Sequence, residues 1–143
     1  MRILTGESFS HSAIALKEED TLFVVETREK TGGTVKILFD DWIKDYSHAY
    51  LGIPVAQIAD NRVEIQKRIY EYLEKPKEEK KYGYWTLPLV WLNQLMPKKK
   101  FKNTLNVCST LVQYFWNATK WKIGKLADPG DLALSVLVLY KIE

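Results

Sequence analysis

The sequence is poor in the residues that form disulfides and metal sites. Its 143 residues include one cysteine, Cys108, and two histidines, His11 and His48. A single cysteine excludes an internal disulfide, so the cysteine usage gives no indication of folding in an oxidising compartment. The histidines are far apart and lack the paired spacing of zinc ligands. We therefore expect a reduced thiol, no metal and no other cofactor.

Long apolar runs and a strong net charge are also missing. No stretch is apolar for long enough to span a bilayer, and residues 1–8 lack the apolar run of a signal peptide. The net charge is only +3, with lysine and glutamate interspersed through much of the chain, which does not predict a nucleic-acid binder. Two short lysine runs, within 77–81 and 97–102, fit either an anionic surface or an ordinary solvated loop. We expect a cytoplasmic protein without an integral membrane segment and leave its oligomeric state open.

The sequence is rich enough in apolar residues to form a single core. It is 46% hydrophobic and 13% aromatic, which at this length suits one domain spanning residues 1–143. Apolar runs at 11–16, 22–27 and 34–38 are separated by polar and glycine-containing turns. Because these connections have the size of hairpin turns, the three runs predict an antiparallel meander.

The rest of the chain is predicted to be mainly helical, with one final strand. Helices are predicted at 40–46, 54–73, around Pro88 within 82–92, from Cys108 to about 119, and at 129–134 after Asp128. The charged stretch 74–81 predicts an exposed connection, and the nearly continuous apolar run 136–142 predicts a strand inside the sheet. The buried face of the 54–73 helix is predicted to comprise Val55, Ala59, Val63, Tyr70 and Leu73.

Cys108 is the first candidate functional residue, because it follows a good helix-capping residue, Asn106. This position predicts a thiol in the first helical turn, where unpaired N–H groups and the helix dipole favour the nucleophilic thiolate. A lone cysteine is also commonly a small buried hydrophobic residue. Position alone leaves both interpretations open.

A cysteine nucleophile needs a base, and the two histidines are the candidates. His11 opens a predicted strand, which would aim its ring, whereas His48 lies between predicted helices and is expected to be exposed. If the first two strands pair as a hairpin, His11 lies close to Glu26, a carboxylate able to orient it. The alternative is a surface histidine and an edge charge.

Four segments together resemble the motifs of the circularly permuted NlpC-type papain-like cysteine peptidases, in particular the YiiX-like branch. They are SHSAIAL at 10–16, VVE at 24–26, CSTLV at 108–112 and DPGDLA at 128–133. Their order, with the histidine strand before the cysteine helix, is the permuted one. Two departures are a short opening, residues 1–9, and Asn106-Val107 in place of an aromatic pair.

The resemblance implies an α+β fold, in which a barrel-like antiparallel sheet packs against helices and the catalytic cysteine begins a helix. It also implies that Cys108 is the nucleophile, His11 the base and Glu26 the residue that orients it, while Tyr84 lines the substrate site. The implied activity is a cysteine peptidase or amidase acting through a thioester on a peptide, such as a cell-wall peptide. The alternatives are a lipid acyltransferase or thioesterase of the lecithin retinol acyltransferase-like type, acting on lipid-linked acyl groups, or an inactive binding protein. The small size suits a phage- or virus-encoded member.

Overall fold

The chain folds into two small antiparallel sheets and a set of short helices. The computed structural model describes residues 11–46, 48–54, 60–96, 106–119, 126–134 and 136–142. Within these ranges, no helix has the length and apolar character needed to cross a bilayer.

The predicted meander is confirmed. Strands β1 (Ile14–Glu18), β2 (Thr21–Arg28) and β3 (Gly33–Leu38) form one antiparallel sheet in that order. Ile14 pairs with Val25 on β2, and Val24 pairs with Ile37 on β3. Gly32 reverses the chain before β3 with a φ of +71°, a conformation that glycine adopts at little cost.

Helices and a second strand pair make up the remainder. A helical turn, α1 (Phe39–Trp42), continues as a 3-10 turn at Ile43–Asp45, in agreement with the helix predicted at 40–46. The next elements are β4 (Ala49–Pro54), α2 (Arg62–Leu73), a 3-10 turn at Lys77–Lys80 and α3 (Thr86–Leu95). The last three are α4 (Cys108–Trp116), α5 (Pro129–Leu134) and β5 (Val136–Ile142).

The helix predicted at 54–73 is confirmed over Arg62–Leu73, but Pro54 belongs to a strand, and the predicted buried face is correct at Leu73, which packs partly buried against the core, and wrong at two other residues. Residues 49–54 form β4, because they pair with β5, a partner too distant in sequence for local patterns to reveal. The side chains that α2 buries are Ile65, Ile69 and Tyr72, spaced by four and three residues. Two residues of the predicted face are instead exposed, Val63 by 69% and Tyr70 by 38%. Val55 and Ala59 lie outside the described residues.

The prediction that strand 136–142 lies inside the meander is also wrong. β5 pairs with β4 in a separate two-stranded sheet, so the described strands do not form one barrel-like sheet. An apolar run indicates that a strand is buried, but it does not identify the partner strand. The α+β class holds.

Helix α4 lies in the main core and fixes the position of its own N-terminus. It buries an apolar face against β2 and α2 and packs beside α5. Burial of large side chains contributes roughly 1.5–3 kcal/mol each, so this helix is firmly held. The main-core residues of α4 are Leu111, Val112, Phe115 and Trp116.

Candidate active site

Strand pairing brings His11 and Glu26 together. Ile14 lies opposite Val25, so the chain preceding β1 runs alongside the end of β2. His11 Nε2 lies 2.7 Å from Glu26 Oε2, and the Glu26 side chain is completely buried while that of His11 is 19% exposed. The hairpin pairing inferred from the sequence thus accounts for this contact.

Cys108 is the first residue of α4 and contacts His11. The residue is 3% exposed, and its side chain lies close enough to the His11 ring to raise the pKa of that ring. Because Nε2 faces Glu26, the ring nitrogen available to the sulfur is Nδ1. The imidazole therefore lies between a thiol and a carboxylate, which is the order of groups in a cysteine–histidine–acid triad.

The cap of α4 differs from the predicted one. Val107, rather than Asn106, occupies the N-cap position, and its N–H donates to Thr110 Oγ1 at 2.9 Å. Asn106 Nδ2 instead donates to the Tyr72 hydroxyl at 3.2 Å. The predicted placement of Cys108 in the first turn is correct. Since N–H groups of a first turn have no acceptor within the helix, those next to the sulfur remain available to a substrate.

Two aromatic side chains that the sequence interpretation missed also donate to Glu26. Trp42 Nε1 lies 2.8 Å from Glu26 Oε2, and the Tyr46 hydroxyl lies 3.2 Å from the same oxygen. The Tyr46 ring also stacks on the His11 ring, with centroids 5.6 Å apart. Their spacing of four residues in a predicted helix was a usable signal, because it places both polar tips on one face.

The positive charge of Arg28 lies at the other carboxylate oxygen of Glu26, Oε1. Arg28 Nε forms an ion pair with Glu26 Oε1 at 2.6 Å, although its N–H does not point along a hydrogen bond. Arg28 Nη1 in turn donates to Asp45 Oδ2 at 2.7 Å. Both carboxylate oxygens of Glu26 thus have a partner, which compensates for the cost of burying its charge.

These contacts shift the pKa values of the pair in opposite directions. Burial alone disfavours a charged imidazolium, but the hydrogen bonds to Cys108 and Glu26 and their negative charges outweigh it and raise the pKa of His11 to about 9. Burial likewise disfavours a charged Glu26, but hydrogen bonds from His11 and Trp42 and the charges of His11 and Arg28 lower its pKa. Near neutral pH the site therefore holds an imidazolium beside an ionised carboxylate.

Tyr84, predicted to line the substrate site, packs edge-on against the Tyr82 ring, with centroids 5.0 Å apart. Tyr84 is 55% exposed, and none of the described contacts joins it to His11, Glu26 or Cys108. Tyr82 is the closer candidate, because burial and the charge of Cys108 raise its pKa to about 12. A hydrogen bond of 2.9 Å from Gly83 N–H to Asn106 O holds this segment beside the start of α4.

The remaining candidate ligands and cavities lie elsewhere. His48 is exposed, as predicted. Across the described ranges, no three His, Cys, Asp or Glu side chains cluster as metal ligands do. Two surface cavities of about 220 and 310 Å³, one beside Arg68 and one beside Gly33, are not lined by His11, Glu26 or Cys108.

Comparison with known proteins gives no match. No protein-family model, no curated protein and no solved structure is significantly similar to this chain. The functional interpretation consequently depends on the residues and their geometry.

Proposed function

We propose that the protein is a cysteine hydrolase of the peptidase or amidase type, with a Cys108–His11–Glu26 triad. One observation carries the proposal: the largely buried His11 ring bonds Glu26 through Nε2 at 2.7 Å and lies beside the thiol at the start of α4, which raises the pKa of the ring. The resemblance to permuted papain-like peptidases, YiiX-like members included, assigns the same three roles. Convergence of these groups from three separate elements supports catalysis over chance burial of a cysteine.

The first half of the reaction is acyl transfer to sulfur. Cys108 Sγ attacks the substrate carbonyl carbon, and a C–S bond forms as the C–N bond breaks. His11 holds the proton taken from the thiol and delivers it to the leaving nitrogen, so the amine departs neutral. The raised pKa of His11 keeps that proton on the ring near neutral pH.

Water completes the cycle. His11, now neutral, accepts a proton from water while the oxygen attacks the thioester carbonyl. The C–S bond then breaks, the acid is released, and the proton returns to the Cys108–His11 pair. Backbone N–H groups at the start of α4 are suited to stabilise the oxyanion in both halves, a contribution of about 3 kcal/mol per donor in comparable sites.

The single cysteine permits a direct test. Because alkylation by iodoacetamide reports on Cys108 alone, its rate measures the reactivity of this thiol. We expect His11→Gln to slow alkylation near neutral pH, because the cation beside the sulfur is lost. We expect Cys108→Ala to abolish hydrolysis of each substrate assayed, namely peptidoglycan fragments, isopeptides and lipid esters. His48→Gln is the matched control, because His48 is exposed. Hydrolysis retained by Cys108→Ala would refute the proposal.

A second candidate, a lipid acyltransferase or thioesterase, is favoured by one feature. Trp85 and Trp91 are 86% and 41% exposed on the segment that follows the contact between Gly83 and Asn106. Large exposed apolar side chains on a segment that is bonded to the chain just before the nucleophile helix suit a lipid-linked acyl group. Turnover of lipid esters without turnover of cell-wall peptides would select this candidate.

A further inference from the structure

Helix α3 has one buried face and one exposed apolar face. The buried face includes Thr86, Val90 and Asn93, and Val90 packs against Val107, the residue before Cys108. The other side carries a stripe at intervals of three to four residues, which we call the α3 stripe: Trp85, Pro88, Trp91 and Leu95. Trp85 is 86% exposed and Leu95 is 62% exposed. Contiguous exposure of large apolar groups is unusual on a protein surface and is typical of an interaction site.

Charge is distributed very unevenly between this region and the rest of the chain. Residues 80–127 contain nine lysines and no acidic residue, whereas the other residues contain twelve Lys and Arg and all eighteen Asp and Glu. Although the net charge of the chain is small, residues 80–127 form a strongly cationic segment, which includes both α3 and Cys108. Residues 82–97, which carry the stripe, have no charged side chain at all.

We propose that the α3 stripe docks the protein on an anionic phospholipid bilayer. Tryptophan favours the boundary between lipid headgroups and acyl chains, where its ring is apolar and its N–H remains solvated. Lysines at both ends of an apolar stripe add attraction to anionic headgroups. The α3 stripe supplies the apolar contact with the lipid, and the lysines before and after it in the sequence supply the attraction to anionic headgroups.

The arrangement fits a bilayer better than a nucleic acid. Single-stranded nucleic acids require cationic groups interleaved with aromatic ones, so that phosphates and bases are contacted together. Here the lysines flank an uncharged stripe that also contains Pro88 and Leu95. Aliphatic groups of this kind gain by leaving water for lipid and have no base to stack on.

Docking through this stripe would also favour the second candidate function, the lipid acyltransferase or thioesterase that uses the same triad. The buried face of α3 packs beside the start of α4, so a bilayer held by the exposed face is separated from the nucleophile helix by the width of α3, roughly 10 Å. Lipid-linked acyl groups then become the favoured substrate class. This step, unlike docking itself, depends on the proposed function.

Vesicle flotation with the full chain tests the docking. We expect the wild type to bind vesicles of phosphatidylcholine with phosphatidylserine, to bind phosphatidylcholine alone at least about tenfold more weakly, and to be released by salt. Trp85→Ser/Trp91→Ser should lower binding by about tenfold or more, since burying each such side chain contributes on the order of one factor of ten. The matched control is Leu51→Ser/Val63→Ser, which removes two apolar side chains that are 49% and 69% exposed elsewhere.

Four outcomes would overturn the proposal. The first is that the wild type does not bind anionic vesicles, and the second is that both double variants lose binding equally. The third is that the protein binds single-stranded RNA but not vesicles. The fourth is that the wild type binds no vesicles and forms a dimer that the tryptophan substitutions, but not the control substitutions, dissociate. Hydrolysis of a soluble ester is measured in parallel. Absent vesicle binding with intact hydrolysis overturns docking alone, whereas vesicle binding with no hydrolysis of any substrate overturns the proposed function alone.

Discussion

The two buried carboxylates Glu26 and Asp128 are stabilised in different ways. Asp128, 2% exposed, forms a local box at the start of α5, where its Oδ1 accepts the Asp131 N–H at 2.8 Å and its own N–H donates to Asp131 Oδ2. Glu26, fully buried, receives hydrogen bonds from residues that lie 15, 16 and 20 positions away. The first arrangement serves its own helix, whereas the second exists only when the fold is complete.

The comparison shows which buried carboxylate is a candidate for function. Both groups bear the cost of losing water, which is compensated only if their oxygens find partners. A capping box is explained by the helix that it starts. Glu26 sits on a strand where no local structure requires it, and one of its partners is a histidine that also contacts a thiol. We therefore expect Glu26 to act in catalysis and Asp128 in stability.

The largest predicted effect separates these carboxylates by activity. Glu26→Gln keeps the shape of the side chain but removes the charge that orients and stabilises the His11 imidazolium. We expect kcat/KM to fall by about 10²–10⁴, the range typical of losing a triad acid or a general base. Asp128→Asn, measured on the same substrate, is the matched control and should stay within about threefold of the wild type, because its hydrogen bonds with Asp131 belong to the start of α5. Equal losses in the two variants would remove the distinction.

The next effect concerns pH and stability. The pKa of His11 rises from 6.5 to about 9 on folding, so the folded state binds this proton more tightly. The resulting stabilisation, roughly 3 kcal/mol, is complete below about pH 6.5 and is lost as the pH rises through 9. Urea denaturation of the wild type should therefore show a free energy of unfolding that falls across this window. This decrease in the free energy of unfolding should be absent in His11→Gln and retained in Asp128→Asn. Parallel curves of unfolding free energy against pH for wild type and His11→Gln would show that His11 is not the group responsible.

A smaller effect is expected from the aromatic donors. Tyr46→Phe and Trp42→Phe each remove one hydrogen bond to Glu26 Oε2 while leaving an aromatic ring in place. A hydrogen bond to a charged group contributes about 1.5–3 kcal/mol, and the other donors to Glu26 remain in each variant. We expect each variant to lower kcat about tenfold and to raise the pKa of His11 measured by NMR, because the charge of Glu26 is then shared among fewer donors. Tyr114→Phe, which changes a hydroxyl on α4 away from Glu26, is the control; an unchanged His11 pKa in both donor variants would contradict their role.

Sequence reasoning reached the parts of the fold that depend on local patterns. The meander and the pairing of His11 with Glu26 follow from apolar alternation and turn residues within about 30 positions, and the first-turn position of Cys108 follows from local capping signals. Strand β4 was missed because its partner β5 lies more than 80 positions away. Trp42 and Tyr46 were missed because an aromatic ring in an amphipathic turn is normally assigned to the core, so their spacing of four residues was not connected with a shared polar partner. The buried face of α2 was missed because the predicted face was drawn through Val63 and Tyr70. The spacing of Ile65, Ile69 and Tyr72, by four and three residues, defines the face that is buried.

The smallest predicted effect returns to Asp128. Asp128→Ala removes the oxygen that accepts the Asp131 N–H, and loss of such a cap costs about 1 kcal/mol of stability. The corresponding change at the other site, Glu26→Ala, should cost more, because it leaves Trp42, Arg28 and His11 without their common acceptor in a buried site. Chemical denaturation measures both losses, and kcat per folded molecule should change only in the second. A larger loss of stability in Asp128→Ala than in Glu26→Ala would mean that the long-range cluster around Glu26 is less tightly coupled to the fold than the local box, contrary to the burial and the number of its contacts.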